Sequence, residues 1–255
     1  MHRFFVPDLA PSGTRLRLGP EEAHHASRVL RLGPGDPVVL LDGRGGECHA
    51  VIESAHRQEV VVSLQKRMNH PAPVAEVVLV QAVAKSAAMD GVIHRAVELG
   101  CQAIQPLLTD HSVSRPDDAE SKREKWQSIA IEAAKQSGNP WLTRIEPLRT
   151  PREWLASMDL SMDRPPLIII ASLADSPESL RTILSSSLAA PGTKLPKIAV
   201  LIGPEGDFSP QEYDTFREIG ARPISLGPLV LRVETAAIAL LAMVQYELRL
   251  IASRS

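Results

Sequence analysis

The stretch Ile198-Ala199-Val200-Leu201-Ile202-Gly203-Pro204-Glu205-Gly206-Asp207-Phe208-Ser209-Pro210 decides how the chain is read. Five apolar residues in a row, with β-branched side chains at 198, 200 and 202, fit a strand covered on both faces rather than a half-exposed one. Two glycines around Glu205 end the run. Ser209-Pro210-Gln211-Glu212 then supplies a capping box with proline at the first helical position. A buried strand, a glycine loop and a capped helix make the repeating unit of a parallel α/β sheet, whose ligands sit at the carboxyl ends of strands. The competing reading is an ordinary strand–turn–helix connection with no ligand.

Working outward, the same alternation runs through the last 180 or so residues. Strands are expected at Val77–Val83, Ala103–Leu108, Leu167–Ala171 and Arg222–Ser225, with a weaker one near Thr143. Helix starts are marked at Ser121-Lys122-Arg123-Glu124 and Thr150-Pro151-Arg152-Glu153, and Gly100 and Gly138 stand where helices should stop. The helix Ala236–Ile251 is apolar almost all round, which predicts burial on more than one side. Before Asn69-His70-Pro71-Ala72-Pro73 the character differs. Short strands are expected at Arg15–Leu18, Pro37–Leu41, Cys48–Ile52 and Val60–Leu64, with one helix over Glu21–Arg31. The expected fold class is therefore α/β, with a small β-rich domain at residues 1–72 and a parallel-sheet domain at 73–255.

Composition removes several function classes. Among 255 residues, 28 Lys/Arg stand against 30 Asp/Glu, so a polybasic binding mode is out and any nucleic-acid contact must be a local patch. Six of the eight histidines fall in the first 72 residues; they are surface filler or part of an RNA face. Cys48 and Cys101 form no metal-binding or disulfide spacing, and no metal is expected. The opening residues carry no signal-like apolar stretch, and Ala236–Val244, the longest strong apolar run, is far short of the ~20 residues that span a bilayer. A cytoplasmic protein with no membrane partner is expected. No GxGxxG follows a strand and no GxxxxGK[ST] exists, which removes dinucleotide and P-loop enzymes.

A second stretch, Ile224-Ser225-Leu226-Gly227-Pro228-Leu229-Val230-Leu231-Arg232-Val233-Glu234-Thr235-Ala236, repeats the strand-end theme. Arg232, set between two apolar residues, calls for an anion or carboxylate partner. Glu205 or Glu234 would serve if the job is structural.

Together, GPEG-x-FS followed by LG-x(3)-LR-x-ETA resembles the 16S rRNA (uracil N3)-methyltransferase family of the SPOUT superfamily. The opening Arg3-Phe4-Phe5-Val6, the segment His24 to Asp36, Glu98-Leu99-Gly100, Ile104-Gln105-Pro106-Leu107, Trp126-Gln127 and Glu132 to Gly138 fit the same family in the same order. The resemblance implies a PUA-like N-terminal β-barrel domain, a trefoil-knotted SPOUT domain, and a homodimer. It implies S-adenosylmethionine as cofactor, lined by Leu173, Ile202, Gly203, Glu205, Gly206, Leu226, Gly227, Val230, Leu231 and Arg232, and N3 of a uridine in 16S rRNA as target. Arg232 is the catalytic candidate, placed to steady charge on the uracil. The expected RNA contacts in the first domain are Arg3, His25, Arg28 and Arg31. Arg28 and Arg31, three apart on the expected helix, would share a face, unless Glu21 and Glu22 pair with them. The resemblance leads one to expect glycine at Ser86 and Asp207, and arginine at Asn139 and Leu229. The alternatives are a SPOUT-fold RNA-binding or ribosome-assembly factor without catalysis, which S-adenosylmethionine binding would separate, and a SPOUT enzyme acting on another RNA.

Overall fold

A computed structural model describes residues 1–56, 59–158, 165–172, 178–187 and 197–252. The chain divides into two compact units, Met1–Ala72 with Ile131–Leu142, and Pro73–Ala130 with Thr143–Ser255.

The first unit is a five-stranded sheet in the order β1(His2–Phe5), β3(Pro37–Leu41), β4(Gly46–His56), β5(Glu59–Asn69) and β2(Arg15–Arg17). β1 joins β3 in parallel and the remaining pairs are antiparallel. β4 and β5 run to 11 residues each, longer than the apolar cores that announced them, because pairing continues past the alternating buried positions into ends, residues 53–56 and 65–69, that are exposed or half-buried. Their inward residues Cys48, Ala50, Ile52, Val60, Val62 and Leu64 form one core with Phe4 of β1, a strand the apolar patterning did not mark.

Helix α1(Pro20–His24) closes this core through Ala23 and Ala26 and widens into a π-helical turn at His25–Val29. The expected helix through Arg31 is therefore corrected. Leu30 N bonds back to His25 O and Leu32 N to Ala26 O, and Arg31 adopts φ +55, the left-handed conformation that ends a helix. Arg28 and Arg31 remain exposed, but Arg31 lies beyond the last helical turn, so helical spacing does not put the two on one face.

In the second unit all six strands among the described residues are parallel, in the order β11(Arg222–Ile224), β9(Leu167–Ala171), β10(Ile198–Ile202), β6(Val77–Ala82), β7(Ala103–Leu107) and β8(Arg144–Ile145). β6, β7 and β10 are buried at every position, Gln81 and Gln105 included, the reason they read as largely apolar runs. One face, including Val78, Val80, Ala199, Leu201 and Ile168, packs on Trp154 of α4(Pro151–Ala156) and on Phe216 of α6(Pro210–Glu218). Phe208 joins them edge-on, 5.0 Å from the Phe216 ring centre. α7(Val233–Ala252) packs against α2(Ser86–Glu98), α5(Leu180–Ser187), β6 and β10.

Both proline-led capping boxes form: Thr150 accepts from Glu153 N, and Ser209 from Glu212 N. The expected start at Ser121 moves three residues upstream. α3(Ala119–Ser137) already encloses Ser121, whose N–H donates to Asp118 Oδ1 at 3.0 Å, since an aspartate caps as well as a serine. No described helix is long and apolar enough to cross a membrane.

Candidate functional site

The carboxyl ends of β6, β9, β10 and β11 and the start of α7 surround a cleft of about 1030 Å³ in the second unit. Its floor is the loop after β10. Gly203 leaves the strand with so little room that a Cβ there would stand 3.0 Å from Asp207 Oδ1 and 3.3 Å from Phe208. Three contacts pin the loop. His111 Nδ1 lies 3.0 Å from both Gly206 O and Asp207 O, Asp110 Oδ2 accepts from Ser209 Oγ at 2.7 Å, and Glu212 Oε1 accepts from Asp110 N at 2.9 Å.

Asp207 occupies a place built for glycine, at φ +61. Aspartate tolerates the left-handed region better than most residues because its short carboxylate can bond locally. Here Oδ1 accepts from Phe208 N and from Tyr213 Oη, both at 2.8 Å. The Tyr213 phenol is also bonded to Ser172, at the end of β9, so the loops after β9 and β10 meet on one hydroxyl of α6. Burial above all, with the Asp207 bond, pushes that phenol up to about 12 against the pull of Ser172.

The opposite wall is the loop from Ser225 to Arg232. Gly227 has φ +116, and nothing lies within 4 Å of where its Cβ would be, so the cleft is open in front of it. Leu229 and Val230 are 72% and 81% exposed. Arg232 immediately precedes α7, its carbonyl taking the first helical bond from Ala236 N. Its side chain is exposed and makes no hydrogen bond or ion pair among the described residues, so neither Glu205 nor Glu234 claims it. Glu205 Oε1 instead accepts from Lys85 N at 3.3 Å.

Of the residues singled out in the sequence, Ile202, Gly203, Glu205, Gly206, Leu226, Gly227, Val230, Leu231 and Arg232 all line this one cleft. Leu173 lies outside the described residues. Glu234, read as a possible partner of Arg232, lines it too, and the sequence reading missed Lys85, Gly91 and Arg95, which line it as well. Lys85 was within reach of the strand-end rule, since it follows β6; Arg95 was not.

In the first unit, Arg3 is half-buried and its Nη1 donates to Lys135 O at 3.1 Å and Gln136 O at 3.0 Å. It caps the last turn of α3 through these two bonds. His25 is half-buried edge-on against Phe4. Arg28 and Arg31 make no ion pair among the described residues; Glu22 is taken by Phe5 N and by Lys135 Nζ, each at 3.0 Å. The other departures also have places. Ser86 opens α2 with its hydroxyl 3.5 Å from Lys122 Nζ, and Asn139 Oδ1 accepts from Trp141 N at 3.0 Å. Among the described residues no group of three or more His, Cys, Asp or Glu could hold a metal ion.

Residues 70–245 match the model of an RNA methyltransferase domain, and residues 18–65 that of an RNA methyltransferase PUA domain. The chain belongs to the RNA methyltransferase family. Within the family it is 32% identical to a ribosomal RNA small subunit methyltransferase E of a Synechocystis species, over 88% of this chain and 70% of that one. It superposes with a TM-score of 0.82 and 29% identity on a putative methyltransferase of Legionella pneumophila in complex with the cofactor S-adenosylmethionine, covering 96% of each chain. A ribosomal RNA small subunit methyltransferase E of Neisseria gonorrhoeae, bound to S-adenosylmethionine, gives 0.81 and 27% over 96% of this chain and 97% of that one. The fold class is thus α/β with a parallel SPOUT-type sheet and a PUA-like N-terminal region.

The left-handed backbone at Asp207 makes a graded prediction. Asp207→Gly should lose the two local bonds but relax the backbone, whereas Asp207→Val adds roughly 1–2 kcal/mol of steric cost on top of the same losses. Thermal unfolding should rank wild type and Asp207→Gly close together with Asp207→Val clearly lower; equal melting temperatures for the two variants would refute the strain argument.

Proposed function

We propose that this chain transfers a methyl group from S-adenosylmethionine to N3 of a uridine in 16S rRNA of the small ribosomal subunit, as a cytoplasmic homodimer. The observation that carries the reading is the cleft at the strand ends, where both glycine-bearing loops of the family resemblance face the same space. Its chemistry suits the cofactor. Leu226, Val230 and Leu231 offer an apolar wall for a purine ring, Gly203, Gly206 and Gly227 let backbone approach a ligand closely, and Lys85, Arg95, Arg232, Glu205 and Glu234 offer charges of both signs.

S-adenosylmethionine, when bound, supplies a methyl already activated on a sulfonium. What is left to the protein is orientation and the handling of charge. N3–H of uracil must give up its proton as the methyl arrives, and negative charge spreads onto O2 and O4. Arg232, exposed at the cleft and without a carboxylate partner among the described residues, is the group we assign to meet that charge. N3 lies on the pairing edge, so the target base must be unpaired or turned out of its stack. Arg28 and Arg31, exposed and unpaired among the described residues, serve as phosphate contacts of the first unit.

Nucleoside mass spectrometry of rRNA treated with the enzyme should show 3-methyluridine in the small-subunit RNA; methylation at another position or of another RNA would overturn the assignment. Gly203→Val and Gly227→Val should both abolish S-adenosylmethionine binding by calorimetry. The first crowds Asp207 and Phe208, and the second forces a β-branched residue to φ +116. Near wild-type affinity in both would remove these loops from the site.

Changing Arg28 and Arg31 together to alanine should weaken RNA binding and lower the slope of log affinity against log salt by about two, with cofactor affinity unchanged. An unaltered salt series would take the patch out of the RNA face.

The homodimer rests on α7, a mostly apolar helix on which Met243 and Tyr246 are 41% and 61% exposed. Light scattering should report twice the 27.7 kDa chain mass at micromolar concentration, and a stable monomer would reject the dimer.

A further inference from the structure

A second recess, of about 400 Å³, belongs wholly to the first unit and takes no part in the cleft. It lies beside the turn Asp42-Gly43-Arg44-Gly45-Gly46 that joins β3 to β4. This turn is fully specified. Asp42, 7% exposed, accepts from Arg44 N at 2.7 Å and from Gly46 N at 2.8 Å through Oδ1, and faces Arg67 Nη2 at 3.5 Å through Oδ2. Gly45 has φ +92 and presses so closely on Trp141 that a Cβ would overlap the indole. Arg67 is fixed in turn by donating to Leu9 O at 3.0 Å.

The product of all this fixing is one arginine held at the tip of a rigid loop with nothing to bind. The Arg44 side chain is exposed and makes no hydrogen bond or ion pair among the described residues. The same holds for Asp8 and Asn69, which line the recess with it. A forked donor, an amide and a carboxylate around one hollow are a poor match to a phosphate, because Asp8 would repel it and Asp42 already balances Arg67. They match a nucleobase edge. Arginine pairs in bidentate fashion with O6 and N7 of guanine, and a carboxylate accepts from its N1–H and N2–H₂. Single-stranded RNA presents such edges freely.

We propose that this recess holds one unpaired guanosine of the RNA substrate, with Arg44 and Asp8 reading its two edges. The proposal rests on the reading of the chain as an RNA methyltransferase and adds a base-selective subsite outside the methyl-transfer cleft.

Fluorescence anisotropy of the full-length chain with short single-stranded RNAs tests it, using oligomers that carry guanine, inosine or adenine at one position in an otherwise uridine-rich strand. Wild type should prefer guanine over adenine by roughly tenfold, the scale of a good bidentate base contact. Inosine, lacking the N2 amino group, should fall between. Arg44→Ala and Asp8→Asn should each erase the preference while calorimetry shows S-adenosylmethionine binding unchanged, which certifies the fold. A wild type without base preference, or variants that keep it, would overturn the guanosine assignment. So would Arg44→Ala weakening every RNA equally and lowering the salt slope by about one, which marks a phosphate contact. RNA binding by wild type is read in the same titrations, so its complete absence would sink the RNA reading itself and the subsite with it.

Discussion

Glu212 is the residue on which the geometry of the cleft turns. It is 7% exposed, and both its oxygens are spent: Oε2 accepts from Ser209 N at 2.9 Å and Oε1 from Asp110 N at 2.9 Å. The first bond is half of a reciprocal cap that starts α6; the second ties that cap to the loop after β7. Asp110 returns the tie by accepting from Ser209 Oγ, and His111 beside it reaches the carbonyls of Gly206 and Asp207. The glycine loop is thereby fixed in its middle and at its carboxyl end, before any ligand is considered. A loop with two glycines in four residues would otherwise carry a large backbone entropy. Local capping chemistry has been extended across about one hundred residues into site chemistry.

Much of this was legible beforehand, for identifiable reasons. The five-residue runs at 167–171 and 198–202 became strands with those bounds because their burial on both faces leaves no polar position to blur the ends. The proline-led capping boxes at Thr150 and Ser209 hold because proline at the first helical position and glutamate at the third agree on the same start. Where two signals competed, the reading slipped. Ser121 offered a cap, but Asp118 offered an equivalent one a turn earlier, and the helix took the longer option. β1 went unseen because its stability comes from a parallel partner more than thirty residues away, which periodicity cannot report.

Two departures from expectation, at Arg31 and Asp207, share one cause, the left-handed backbone. Arg31 and Asp207 are the non-glycine residues among those described that adopt it. At Arg31 nothing in the residue type warned that the helix would end there, since arginine is a good helix former and apolar residues continue through Leu32. At Asp207 the resemblance pointed to glycine, and the structure gives the reason: the position needs positive φ and the aspartate is held there by Phe208 N and Tyr213. Backbone strain of roughly 1–3 kcal/mol at a ligand-facing loop persists only when its surroundings over-determine it, and here β9, α6 and the loop after β7 all do.

The distribution of charge in the cleft follows the same logic of reserved bonding capacity. Lys85, Arg95 and Arg232 line it together with Glu205, Asp207 and Glu234, so ion pairs between these residues were available. An exposed pair gains only about 0–1 kcal/mol, too little to hold a long arginine side chain against its own rotamer entropy. Arg232 is accordingly left unpaired among the described residues, beside a helix start and facing open space. A negative group brought in by a substrate would meet that guanidinium in a cleft from which water is being displaced, where the same Coulomb attraction is several times stronger than at an open surface. In the role we propose for Arg232, an arginine uncommitted in the free protein places the gain at the moment when charge arrives, which is where stabilisation can lower a barrier rather than deepen a ground state.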